Sequence, residues 1–113
     1  MEPFATFERQ KSVFRDHPMI TEQLELKAAA DLELPIGAII KITGGVAELA
    51  DDQIAVTDDV AIMHGPVTLN ASTKTSAVVA RHADIVKDQV TVASGADVDA
   101  IAAVLAQKGL YIH

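Results

Sequence analysis

The residues of this 113-residue chain best suited to proton transfer or metal ligation are four histidines, His17, His64, His82 and His113. None stands two or four positions from another, the spacings that turn two imidazoles towards one ion from a strand or a helix, and none lies in a recognisable catalytic motif with a carboxylate. His64 and His82 could meet across neighbouring strands, but ordinary polar strand positions account for both. The carboxylates concentrate at Asp51-Asp52 and Asp58-Asp59, without the alternating Asp/Asn spacing and closing Glu of a calcium loop, so a solvated acidic loop is expected. There is no cysteine, which excludes thiolate chemistry, thiolate metal sites and disulfides.

Phosphate chemistry fares no better. Gly44-Gly45 precedes an apolar β-type run, whereas phosphate loops open onto a helix N-terminus, so the pair reads as a hairpin turn. Ser94-Gly95 does precede a helical pattern, but Asp97 and Asp99 in the first turn would repel an anion, and capping explains the serine better. No serine, histidine and acid follow the order of a nucleophile elbow, and no nucleotide-binding glycine or lysine signature is present. The expectation is a protein that is not an enzyme, with no cofactor and no metal.

The elements that would position any site are legible from hydrophobic period. Val98, Ile101, Ala102 and Leu105 recur at i, i+3, i+4, i+7 and lay one apolar stripe on a helix expected over residues 96–108, with Ser94 as N-cap and Asp97 three positions on. Lys108 sits in the last turn, Gly109 supplies the left-handed cap, and Leu110-Tyr111-Ile112 follows as a closing strand. Upstream, residues 20–26 alternate, with Ile20, Glu22, Leu24 and Leu26 on one side, as in a strand with one wet face marred by Glu22. The runs 38–42 and 46–49 flank Gly44-Gly45 as a hairpin. Residues 60–64 form a strand broken by Gly65-Pro66, which residues 67–69 resume, and residues 76–81 form another after a polar turn at 70–74. Six to eight short strands and one helix make a small, β-rich α+β domain, a partly closed β-barrel, with no internal repeat.

Composition sets residues 1–19 apart from the rest. They contain all three phenylalanines, Phe4, Phe7 and Phe14, together with Arg9, Lys11 and Arg15 and three acids, so this arm is neutral while residues 20–113 carry the whole net charge of −7. Tyr111 is the only aromatic residue after them. A body built from Val, Ile, Leu and Ala lacks the large buried areas that aromatics provide, so self-association or a larger partner is expected to add stability. The phenylalanines would share one helical face and either fold back into the aromatic-poor core or dock on a partner, the use favoured by Phe and Arg enrichment at interfaces. Basic residues form no cluster on the acidic body, which argues against nucleic acid. No apolar run approaches the ~20 residues of a membrane span, and the charged N-terminus is not a secretory signal, so a soluble chain made without export is expected.

The order of elements resembles a known family. Leu34-Pro35-Ile36-Gly37-Ala38-Ile39-Ile40-Lys41-Ile42-Thr43-Gly44-Gly45, then Val60-Ala61-Ile62-Met63, then Ser76-Ala77-Val78-Val79-Ala80-Arg81-His82-Ala83-Asp84-Ile85-Val86, then the helix closing on Gly109-Leu110-Tyr111-Ile112, is similar to the tailed-phage head decoration proteins, the family of the phage lambda capsid-stabilising protein. The similarity spans residues 22–113. It implies a β-tulip-like domain, residues 20–113, preceded by a capsid-docking arm, residues 1–19. It further implies a homotrimer that is made in the host cytoplasm, binds the major capsid protein on the outer surface of the expanded virion shell and stabilises it. In that reading Phe4, Phe7 and Phe14 anchor the arm and Arg9, Lys11 and Arg15 pair with acidic groups of the shell. Family arms are often rich in small residues, Thr and Pro, and this arm departs from that pattern. The alternatives are a non-viral oligomeric scaffold and a small-ligand-binding β domain using His64, His82 and the acidic loop.

Overall fold

The computed structural model describes residues 20–113. Among the described residues the strands in chain order are β1 (Ile20–Leu26), β2 (Leu32–Leu34), β3 (Ile39–Thr43), β4 (Val46–Leu49), β5 (Asp59–Met63), β6 (Val67–Leu69), β7 (Thr75–Ile85) and β8 (Leu110–Ile112), with a 3₁₀ turn at Lys87–Gln89 and one α-helix, α1 (Val98–Ala106). The fold is the expected β-rich α+β domain. Its main sheet has six strands in the order β1-β7-β5-β3-β4, with β8 parallel to the far end of β7, and β2 and β6 form a separate two-stranded antiparallel sheet.

Strand period explains how both faces of the main sheet are covered. Adjacent residues of a strand point to opposite faces, and here both directions are apolar. Ile39, Val60, Ile62, Ala80, Ile101, Leu105 and Leu110 pack together on the helix side. Ile40, Ala61, Met63, Ala77, Val79, Leu34 and Leu69 pack on the side covered by β2 and β6. The result is three layers, helix on sheet on small sheet, with no aromatic side chain among the described residues of either core. Eight alanines, at positions 28, 38, 47, 50, 61, 77, 80 and 83, are buried. Their small side chains permit the close layer approach that packs such a core densely.

The main sheet does not close into a barrel. Its two ends meet at one bridge, where Lys27, just past β1, pairs with Val46 of β4. Lys27 N–H donates to Gly45 O (3.0 Å) and Ala47 N–H donates to Lys27 O (2.8 Å). This is the extent to which the expected partial closure is realised.

Several local expectations are corrected. Asp97, not Ser94, caps α1: its Oδ1 accepts from Asp99 N–H at 3.0 Å, while its backbone stays extended. A single carboxylate at the start of the helix thus supplies both an acceptor and favourable charge. Residues 67–69 do not resume β5; they pair with β2, Leu34 opposite Val67 and Leu32 opposite Leu69. β7 runs from Thr75 to Ile85, well beyond the expected end at Arg81. β1 is wetter than its alternation suggests, since of its apolar residues only Leu26 is buried and Ile20 is 62% exposed. The Gly44-Gly45 hairpin, the left-handed Gly109 (φ 92°) and the final strand stand where the sequence places them.

Candidate docking surface

Three of the four histidines lie within the described residues. His17 lies outside the described residues. His64 follows β5, and its N–H donates to Val78 O at 3.0 Å. His82 lies four residues further along β7 and meets Tyr111 edge to face, with ring centroids 5.8 Å apart. His113 Nε2 is 3.1 Å from Asp84 Oδ1. Among the described residues no three His, Asp or Glu side chains gather as metal ligands.

The acidic stretch serves turns and strand pairing. Asp51 Oδ1 accepts from Gln53 N–H (3.0 Å) and Asp58 Oδ2 from Ala55 N–H (2.8 Å), closing the turns on either side of the buried Ile54. Asp59 is drawn away to Arg81. Gly44 and Gly45, at φ 58° and 82°, make the two-residue hairpin turn that needs positive φ.

Arg81 is the feature that period alone does not reveal. Along β1 and β7 the register runs Glu22 opposite Val79 and Thr21 opposite Ala80, but Ile20 is opposite His82. Arg81 is thus the extra residue of a β-bulge, a device that kinks a strand and re-aims a side chain. Its Nε donates to Glu22 Oε1 at 2.8 Å, and one terminal nitrogen donates both to Asp59 Oδ1 and to Val60 O, the latter at 3.1 Å. Burial works against the charge of the guanidinium, but the hydrogen bonds and fields of Asp59 and Glu22 outweigh it and hold the group above its ordinary value. The arginine ties β1, β7 and β5 together where the chain enters the fold. Beside it Lys108 Nζ donates to Val56 O at 2.8 Å, in an open cleft lined by both acids and both bases. Arg81 is thus paired with both acids, while Lys108 bonds a backbone carbonyl.

The candidate arm residues Phe4, Phe7, Arg9, Lys11, Phe14 and Arg15 lie outside the described residues. What the structure gives is their point of entry. Residue 20 begins β1, the terminal strand of the main sheet, which among the described residues pairs along its length with β7 alone. Residues 20–23 are all exposed. Ile20 is opposite His82, and His82 packs against Tyr111, itself 39% exposed, so the three side chains mark out one apolar and aromatic patch where the arm begins. Tyr111 was legible only as part of a closing strand, because nothing local in the sequence says which residue of β7 it meets.

No protein-family model matches the chain, and no curated protein matches its sequence. Among the described residues no helix is long and apolar enough to cross a membrane.

Proposed function

We propose that the chain is a tailed-phage capsid decoration protein. It binds the major capsid protein on the outer surface of the expanded shell as a homotrimer and stabilises that shell without catalysis. The observation that carries this reading is the junction at Ile20, where a segment holding every phenylalanine of the chain runs directly into an exposed terminal strand. An edge strand presents unpaired backbone groups, and a preceding segment that is neutral overall but bears phenylalanines and bases supplies anchors for docking on a partner. The body adds an acidic exterior and two tightly packed cores, which suits a part that holds others together. Three arms acting at once make modest single-arm affinity sufficient.

The test is co-sedimentation of the full chain with a panel of expanded, undecorated tailed-phage capsids, counting bound copies per capsid subunit. Saturation near one copy per subunit, lost when Phe4, Phe7 and Phe14 are together replaced by Ala in a chain that keeps its melting temperature, is the expected result. Failure of the folded full chain to bind any capsid of the panel would turn attention to an oligomeric scaffold.

A further inference from the structure

β1 is held unevenly along its length. At its far end Leu26 is buried and Leu24 packs against the core on the β2–β6 side, and the chain runs on into the Lys27–Val46 bridge and the bond from Ala28 N–H to Asn70 O (3.0 Å). At its near end Ile20, Thr21, Glu22 and Gln23 are all exposed. Apolar burial, the term that does most to fix a strand in place, therefore acts on Leu24 and Leu26 and hardly on the first three residues.

Register shows what holds the near end instead. Val78 O accepts from His64 N–H at 3.0 Å, and Ile62 is opposite Ala80. Val78 and Ala80 thus turn their backbone groups to the β5 side, and by antiparallel alternation Val79 turns its N–H and C=O to β1, where Glu22 is opposite it. Glu22 and Val79 form a hydrogen-bonded pair, Thr21 and Ala80 do not, and Ile20 meets the bulge. One residue therefore secures the near end twice, by its backbone to Val79 and by its side chain to Arg81. Arg81 is itself anchored on β5, through Asp59 Oδ1 and Val60 O (3.1 Å), so the guanidinium keeps its place whether or not Glu22 is on it. Lys108, the other base of that cleft, is held by Val56 O. Salt reaches the exposed Glu22 carboxylate. The screening length falls from ~30 Å at 0.01 M to ~3 Å at 1 M, close to the 2.8 Å of the bond itself.

We propose that residues 20–22 are a strap on β7, with the Arg81–Glu22 bond as its catch. The strap lifts as a unit about Gln23, whose side chain donates to Ser76 Oγ, while residues 24–26 stay paired, and ionic strength sets how often it lifts. Lifting bares the N–H and C=O of Val79, groups that an extended segment of another chain can pair with. The inference rests on β1, β5 and β7 alone and is independent of the capsid reading.

The test is amide hydrogen exchange of the full chain, read residue by residue by NMR at ~0.01 M and ~1 M salt. After correction for intrinsic rates, the Glu22 and Val79 amides should exchange about two- to fivefold faster at high salt, while those of Leu26 and Ala77 stay unchanged. In Glu22→Gln, which leaves Arg81 on Asp59, the first two amides should exchange that much faster already at low salt and respond no further to added salt. Equal acceleration at Leu26 and Ala77, which means that the whole strand or the whole fold opens, overturns the proposal. So does a Val79 amide that ignores salt in the parent, or a salt response that survives Glu22→Gln and so belongs to other charges.

Discussion

Arg81 on β7 donates to Glu22 on β1 at 2.8 Å, joining residues 59 positions apart across the bulge at which the two strands change register. Glu22 and Asp59, its other acidic partner, are each about half exposed, at 48% and 52%, so water screens the attraction and the pair is modest in strength. A double-mutant cycle with Glu22→Gln and Arg81→Met should give a coupling of ~0.5–1 kcal/mol that shrinks in high salt. Zero coupling at low salt would remove Arg81 as the tie between the strands.

The helix start offers a test that separates two neighbouring residues. Asp97→Ala removes the side-chain acceptor for Asp99 N–H and should cost ~1 kcal/mol in chemical denaturation. Ser94→Ala, three residues earlier, should stay within ~0.5 kcal/mol of the parent. The reverse order would restore Ser94 as the cap.

Gly109 is constrained twice. Its φ of 92° lies where side chains are strained, and a Cβ there would stand 2.8 Å from His82 Nδ1. Gly109→Ala should therefore destabilise by ~1–3 kcal/mol and disturb the contact between His82 and Tyr111. Unchanged denaturant midpoints would show that the turn relaxes freely.

Lys87 donates to Asp99 at 2.6 Å, linking the 3₁₀ turn after β7 to the first turn of α1. The hydrogen bond that Lys87 donates to Asp99, and then the charge of Asp99, raise the ammonium above its ordinary 10.5. A raised basic group stabilises the fold fully below its unfolded value and loses that contribution as pH climbs through the folded one. The small stability advantage of the parent over Lys87→Met should be present near ~pH 8 and fade above ~pH 10.5. An advantage that persists undiminished at high pH would assign it to packing.

Much of this architecture is local chemistry and could be read directly. Gly44-Gly45 between two β-branched runs leaves little besides a hairpin, and the stripe from Val98 to Leu105 followed by Gly109 leaves little besides a helix and its stop. Other features depend on partners that no local pattern names. Counting alternately from Ala77 and Val79 puts Ala83 and Ile85 on the β2–β6 side, yet both belong to the core under α1, because the extra residue at Arg81 reverses the count. Three-residue runs such as 67–69 carry too little pattern to distinguish pairing with β2 from continuing β5. Asp97 and Ser94 are both good caps, and only backbone geometry chooses between them. As for the docking surface, the composition boundary after residue 19 was plain in the sequence, but the meeting of His82 with Tyr111 opposite Ile20 was not, since it depends on which residues of β7 the first and last strands face.

The first and last strands of the described chain are both held by β7, and this fixes how the molecule bears force. A pull on Ile20 along the axis of β1 loads its seven register pairs with β7 in shear, all at once. A pull across that axis peels the same pairs apart in succession, beginning at the bulge. The direction in which a partner grips the segment before Ile20 therefore decides whether β1 acts as a rivet or as a tear strip.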